Sequence, residues 1–266
     1  MKFIDTHTHL FSTQFAEDAE AVIERALAQE VGQFYLPNVD TKSIARMYEL
    51  SDKYPNQCIP MIGLHPCSVK EDYKEQLAII EKELEGERIF AGIGEMGLDY
   101  HWDLTFKKEQ LDALRIQIEW AKKYELPVIL HTRESFEDTY KVIAELNDER
   151  LTGVFHCFTG SVEEAQKVID LGGFYMGIGG VVTFKNAGVD KTVAQLPLEY
   201  LVLETDAPYL APTPHRGSRN ESMHIPLIAQ KVAEAKNLSL DEIAQATTKN
   251  AQQLFKSFAH ATKIVS

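Results

Sequence analysis

Three cysteines in 266 residues, Cys58, Cys67 and Cys157, are odd in number and too widely spaced for a disulfide framework, which points to a reducing cytoplasm. No apolar run reaches the ~18–20 residues of a membrane span. The opening Met1-Lys2-Phe3-Ile4-Asp5 lacks the apolar stretch of a signal peptide. Basic residues are outnumbered, 27 against 40 acidic, for a net charge of −13, and no basic run of the kind that marks a polyanion-binding surface is present. The acidic balance favours solubility. It does not exclude a phosphate-bearing substrate, because bound cations and a few placed arginines supply attraction locally. A Gly-rich phosphate loop is missing too: no GxGxxG follows the first apolar run. Gly177-Ile178-Gly179-Gly180 lacks that spacing and ends a late run, where it reads as tight packing or room near a ligand.

What the chain does have is a regular alternation. Eight apolar stretches of strand length recur, at Lys2–Leu10, Gln33–Val39, Cys58–Gly63, Ile89–Glu95, Pro127–His131, Gly153–Phe158, Gly173–Ile178 and Leu201–Asp206. Several are almost continuously apolar, as parallel strands covered on both faces are. Between them, apolar residues recur every three or four positions over Phe15–Gln29, Thr41–Lys53, Glu71–Glu85, Thr105–Tyr124, Ser135–Leu146, Ser161–Leu171 and Asn186–Leu196. Ile225–Lys236 and Ser239–Phe258 follow. Thr41, Ser161 and Ser239 stand where helix N-caps stand, and Ser239 with Glu242 spells a capping box. Eight strand–helix units predict an α/β fold: a right-handed (β/α)8 TIM barrel with an extra C-terminal helix, in one domain over residues 1–266. The missing phosphate loop decides against an open doubly wound sheet.

Such barrels build their sites at the C-terminal ends of the strands. Six metal-ligating side chains fall there: His7 and His9 on the first stretch, Glu95 on the fourth, His131 on the fifth, His156 on the sixth and Asp206 on the eighth. Side chains alternate along an extended strand, so His7 and His9 face one way. Six donors exceed the roughly three that one tetrahedral catalytic zinc takes. They fit two cations sharing a carboxylate, Glu95. Strands one and eight are neighbours in a closed barrel, which assigns His7, His9 and Asp206 to one cation; strands five and six assign His131 and His156 to the other. Mixed imidazole and carboxylate ligation suits Zn, Mn, Co or Fe and tolerates Mg. Two cations about 3.5–4 Å apart perform hydrolysis by in-line displacement.

Six segments carry a resemblance. They are Phe3-Ile4-Asp5-Thr6-His7-Thr8-His9-Leu10, Gly63-Leu64-His65-Pro66, Gly92-Ile93-Gly94-Glu95-Met96-Gly97-Leu98-Asp99-Tyr100, Pro127-Val128-Ile129-Leu130-His131-Thr132-Arg133, His156-Cys157-Phe158-Thr159-Gly160-Ser161 and Leu203-Glu204-Thr205-Asp206-Ala207-Pro208. Together they resemble the amidohydrolase, or metal-dependent hydrolase, superfamily and, within it, the TatD deoxyribonuclease family. The glutamate on the fourth strand, where many superfamily relatives use a modified lysine, is the most discriminating feature. The resemblance implies a deoxyribonuclease that cuts DNA phosphodiester bonds, on single strands or at ends, with two divalent ions (Zn, Mg or Mn) per subunit. It assigns the same six residues to the metals and makes Asp206 and Glu95 catalytic. Asp206 is placed to take a proton from the attacking water, or is a pure ligand. One departure stands out: after Arg216-Gly217 relatives commonly carry Asn-Glu-Pro, and this chain has Asn220-Glu221-Ser222, which predicts a differently shaped loop there.

Several other residues are candidates for supporting roles. His65 contacts a substrate phosphate or hydrogen-bonds to a ligand. Arg133 pairs with phosphate bidentately, or with Glu95 or Asp99. Glu204, two residues before Asp206, orients a ligand histidine. Trp102, Phe184 and Tyr209 stack on bases or simply pack. Cys157 alternates away from His156 and is not taken as a ligand. Two alternatives to the nuclease remain. One is a hydrolase of a small amide, ester or lactone, which the acidic composition motivates. The other is a non-catalytic metal-dependent binding protein, which would need a missing ligand.

Overall fold

The computed structural model describes residues 2–256 and Phe258. Eight strands alternate with helices: β1 Phe3–Asp5, β2 Val31–Pro37, β3 Cys58–Met61, β4 Ile93–Asp99, β5 Val128–Arg133, β6 Gly153–Phe155, β7 Phe174–Ile178 and β8 Leu201–Leu203. Helices α1 Ala19–Ala28, α2 Ile44–Lys53, α3 Tyr73–Leu84, α4 Lys107–Tyr124, α5 Phe136–Leu146, α6 Val162–Asp170, α7 Val189–Gln195 and α8 Ile225–Lys236 each follow the strand of the same number. A ninth, α9, spans Leu240–Leu254.

β1 to β3 pair in sequence order and so do β4 to β8, all parallel. Two bridges join these halves, Ile62 with Ile93 and Thr8 with Ala207. Backbone bonds support each seam: Gly94 N donates to Ile62 O at 2.8 Å, and Asp206 N to His7 O at 2.9 Å. β1 therefore meets β8 and the sheet closes on itself as a TIM barrel.

Two apolar layers hold it. Phe34, Leu36, Val128, Leu130 and Phe155 face outward and pack against the helices. Their neighbours Tyr35, Ile59, Ile129, Val154 and Val202 point inward with Ile4 and Met61, and α9 closes this end with Ala251, Leu254 and Phe255. Asn250 of α9 donates to the carbonyls of Leu198 and Leu201 at 2.9 and 2.8 Å, at the entrance of β8. The extra helix thus plugs the N-terminal floor and leaves the opposite mouth free.

Ser161 and Ser239 are N-caps, each in a capping box with Glu164 and Glu242. Thr41 is not a cap: α2 starts at Ile44 behind Ser43, and the Thr41 hydroxyl bonds Gln76 instead. α1 starts at Ala19 rather than Phe15, because Thr13–Phe15 form a separate turn that buries Phe15. The expected last helix stops at Leu254, and its Ser257 lies outside the described residues.

Strand ends differ systematically from the pattern. β1, β6 and β8 stop before the expected Leu10, Phe158 and Asp206. Past β6 and β8, Cys157 and Asp206 turn left-handed at φ 47° and 56°, while past β1 Thr8 still bridges Ala207. β4 and β5 instead run on, to Asp99 and Arg133. Gly97 allows this: at φ 143° a Cβ would lie 2.1 Å from the His131 carbonyl oxygen, so only glycine lets the strands meet there. No helix among the described residues is long and apolar enough to cross a membrane.

Candidate metal centre

The six residues expected from the pattern converge at the mouth. β1 has ended before His7, so strand alternation is not what brings His7 and His9 together. His9 is placed by its amide on the Ala207 carbonyl at 2.7 Å and its Nδ1 on Pro37, and His7 by the fully buried Asp5, whose carboxylate accepts from the His7 amide at 3.3 Å, and from the Thr205 amide and hydroxyl at 3.0 and 2.6 Å. One side chain stitches the segment carrying His7 to the one carrying Asp206. Asp5 was legible only as the acid just upstream of the histidines.

Two groups of donors form. In the first, His7 Nε2 lies 3.3 Å from His9 Nε2, 3.2 Å from Glu95 Oε2 and 3.7 Å from Asp206 Oδ1; His9 Nε2 lies 3.3 and 3.4 Å from the same two oxygens. In the second, Glu95 Oε1 lies 2.9 Å from His131 Nδ1 and 3.3 Å from His156 Nε2, and His156 also clusters with His7 and Asp206 of the first. Ligands about 2.0–2.1 Å from a tetrahedral ion stand about 3.3–3.4 Å apart, so these separations suit donors around a common cation.

The tautomers make the same point. His9 Nδ1 faces the Pro37 carbonyl at 3.2 Å, which can only accept, so that nitrogen carries the hydrogen. His131 Nε2 donates to Asp99 Oδ2 at 2.8 Å, and His156 Nδ1 to Glu204 Oε1 at 3.0 Å. In its neutral form each ring is left with a lone pair aimed at a carboxylate oxygen, an arrangement that is repulsive until a cation, a proton or a metal ion, lies between. The titration behaviour agrees. Burial opposes charge on His9, but Asp206 and Glu95 raise its pKa to about 9. Burial likewise opposes charge on His131 and His156, and their carboxylate partners still raise both. Burial works against an ionised Glu95 and Asp206, yet the surrounding imidazoles hold both below the usual carboxylate range. The site is built to hold positive charge.

His65 sits in the second group, 3.2 Å from Glu95 Oε1 and from His131 Nδ1. Its own Nδ1, however, accepts from the Cys67 amide at 3.0 Å. The hydrogen of neutral His65 is therefore on Nε2, which makes it a donor into the site rather than a ligand. Arg133 pairs with neither Glu95 nor Asp99; its guanidinium lies 5.0 Å from the Trp102 ring. Asp99, which sequence reasoning considered only as a partner for Arg133, holds His131 and accepts from the His101 and Trp102 amides at 3.0 and 3.2 Å. Its signal was its place in Gly97-Leu98-Asp99-Tyr100, on the strand of Glu95.

Glu204 is fully buried, and its Oε1 also accepts from the Cys157 amide at 2.6 Å. Gly177 leaves it room: a Cβ there would lie 2.1 Å from Glu204 Oε2. Cys157 lines the same cavity as His156, because its left-handed turn breaks the alternation, and burial pushes its thiol up to about 12. The cavity at the mouth is about 910 Å³, with Trp102 and Tyr209 exposed on its lining. Phe184 is elsewhere, under the Arg216 guanidinium at 4.1 Å. In the loop lacking the family proline, Asn220 donates to the Thr205 and Tyr209 carbonyls, both at 2.7 Å, and Glu221 binds Arg25 and Arg219. Ser222 is buried, its hydroxyl 3.4 Å from that of Thr8. Side-chain bonds hold the loop without the proline.

A family model for TatD related DNases matches residues 4–256. The chain belongs to the TatD family. It is 42% identical over 253 residues to YabD of Bacillus subtilis, described as an uncharacterized metal-dependent hydrolase, covering 95% of this chain and 98% of that one. YcfH of Escherichia coli K12, described in the same words, is 34% identical over 96% of each chain. The crystal structure of YjjV, a TatD homologue from E. coli K12, matches with a TM-score of 0.90 at 32% identity, over 96% and 98% of the two chains. This TatD chain is therefore a metal-dependent hydrolase, and its buried His, Glu and Asp clusters fit divalent metal.

Proposed function

We propose that this TatD hydrolase is a deoxyribonuclease that cuts phosphodiester bonds with two divalent ions, Zn, Mg or Mn. The observation that carries the reading is the division of Glu95: Oε2 faces His7 and His9, and Oε1 faces His131 and His156. His7, His9 and Asp206 would hold one ion and His131 and His156 the other, with Glu95 between them. When bound, the ions supply Lewis acidity at the scissile phosphate and make water a nucleophile near neutral pH.

The chain's own groups do the rest. Asp206 lines the cavity with its side chain 14% exposed, against 3% for Glu95. Kept ionised, it takes the proton of the attacking water as general base. His65 offers Nε2–H, and Arg133 a guanidinium fork, to phosphate oxygens. A cavity with exposed aromatic side chains suits a flexible single strand or a frayed end, whose bases stack as they unpair.

The test uses purified protein stripped with chelator, then supplied with Mg, Mn or Zn and end-labelled single-stranded DNA. Metal-dependent shortening, abolished in Asp206→Asn, is the expected result. No cleavage with any of the three metals overturns the nuclease. Turnover in a parallel panel of amides, esters and lactones would then mark a small-molecule hydrolase.

A further inference from the structure

Of eight arginines, five are held by carboxylates: Arg25 and Arg219 by Asp18 and Glu221, Arg88 by Asp52, Arg115 by Glu145 and Arg150 by Asp148. Among the described residues Arg46, Arg133 and Arg216 have no such partner, in a chain whose acidic side chains outnumber basic ones 40 to 27. Arg216 covers Phe184, and neither lines the cavity. The other two both line the cavity of the metal donors.

They do so from different sides. Arg133 ends β5 and lies over Trp102, in the arc of β4 and β5. Arg46 is on α2, the helix between β2 and β3, and its Nε donates to the Phe11 carbonyl in the segment after β1 at 3.1 Å. That bond fixes the side chain and leaves its terminal nitrogens without a protein acceptor among the described residues. Asp40, on the same wall, accepts at Oδ1 from the Ser43 amide at 2.8 Å and makes no ion pair with Arg46 among the described residues. A guanidinium anchored by Nε, with its outer edge free and facing a cavity, is preorganised for an anion. The acidic net charge makes such local placement necessary for any polyanion.

We infer that Arg46 is an anion subsite for a phosphate flanking the cleaved one, on the side of the metal donors away from Arg133 and Trp102. The preferred substrate is then an oligonucleotide that extends on both sides of the scissile bond, not an isolated diester. This inference rests on the phosphodiesterase reading above.

The experiment compares a single-stranded oligonucleotide with bis(4-nitrophenyl) phosphate, a diester with no flanking phosphate, using metal-loaded wild type, Arg46→Gln and Arg46→Lys. Loss of one charge-assisted contact raises the oligonucleotide KM about tenfold in Arg46→Gln. The plot of log kcat/KM against log salt becomes shallower by about 0.7, the share of one phosphate contact on a single strand. Arg46→Lys keeps the charge and restores the slope. The loss on the small diester is several-fold smaller. Equal losses on both substrates would reassign Arg46 to holding the Phe11 segment and overturn the subsite. So would an unchanged oligonucleotide KM and slope. Wild type that cleaves the small diester but no oligonucleotide also overturns it, while leaving phosphodiester chemistry in place. Cleavage of neither removes the phosphodiesterase reading and the subsite together.

Discussion

At the floor of the barrel Ile4, Tyr35, Ile59, Met61, Ile129, Val154 and Val202 fill the interior, and Leu254 and Phe255 close it. At the mouth the same interior holds His7, His9, Glu95, His156, Asp5 and Glu204, all buried. Contacts at the floor are non-directional, and side chains of similar volume would serve there. At the mouth three of the rings are aimed by a second partner, Pro37 for His9, Asp99 for His131 and Glu204 for His156, while the buried Nδ1 of His7 has no hydrogen-bond partner among the described residues. Like charges and facing lone pairs there cost stability until a cation offsets them. The floor stabilises the fold, and the mouth uses part of that stability to keep a site preorganised.

The largest expected effect comes from Glu95, the one group shared by both donor sets. Glu95→Gln keeps the shape and removes the charge. Because bound metal contributes several kcal/mol of transition-state stabilisation, kcat should fall by about 10³ or more. The thermal midpoint in excess chelator should stay within a few degrees of wild type. A variant that unfolds would break the contrast between mouth and floor.

Phe255→Ala probes the opposite end. Phe255 is 1% exposed and stacks on Tyr35 with ring centroids 3.8 Å apart. Its truncation should cost about 3–5 kcal/mol by urea unfolding, while kcat per folded molecule stays near wild type. Lost activity in the folded fraction would show that floor and mouth are coupled.

The two ends also differ in how much of them was readable in advance. Periods of two and of three to four residues reveal the barrel, because burial on both faces of a strand and one face of a helix is a property of composition. The metal donors stood out because six His, Glu and Asp residues fall at the same end of different strands, although each alone would pass for an ordinary polar residue. What stayed hidden depends on backbone departures. Cys157 and Asp206 turn left-handed, so alternation failed for Cys157. His7 and Asp206 are brought together through Asp5, a contact across 200 residues to Thr205 that no local pattern encodes. The same holds for His65, whose hydrogen position follows from a Cys67 amide.

A smaller effect tests the aiming of the rings. Glu204→Gln keeps an acceptor beside His156 but weakens its hold, and loss of such a partner typically costs 10–100-fold in metal affinity or activity. Gly177→Ala should reproduce the defect, because its methyl would take the space of Glu204 Oε2. Metal titration by calorimetry reads both variants. Wild-type affinity in Gly177→Ala would mean that the Glu204 position is not critical.

The smallest effect separates the mouth from its outer frame and is read by pH. Glu221 bonds Arg25 and Arg219 at 2.9 and 3.0 Å and ties the loop before α8 to α1. Burial opposes its charge, but the two guanidinium partners bring its pKa below the ordinary 4.5; Arg219 does the same for Asp18, from 3.8. A carboxyl with a depressed folded pKa contributes stability that is fully present above its unfolded value and lost as pH falls through the folded one. The contribution is therefore intact at pH 7 and begins to fade below about pH 4.5. Arg25 and Asp18 are partly exposed, so solvent screening limits it to about 1 kcal/mol or less. Glu221→Gln should lower the unfolding free energy from urea titration at pH 7 by that amount, less so in high salt. Near pH 3, in chelator, wild type and variant should converge. A gap that persists there would mean that Glu221 acts by packing, not charge.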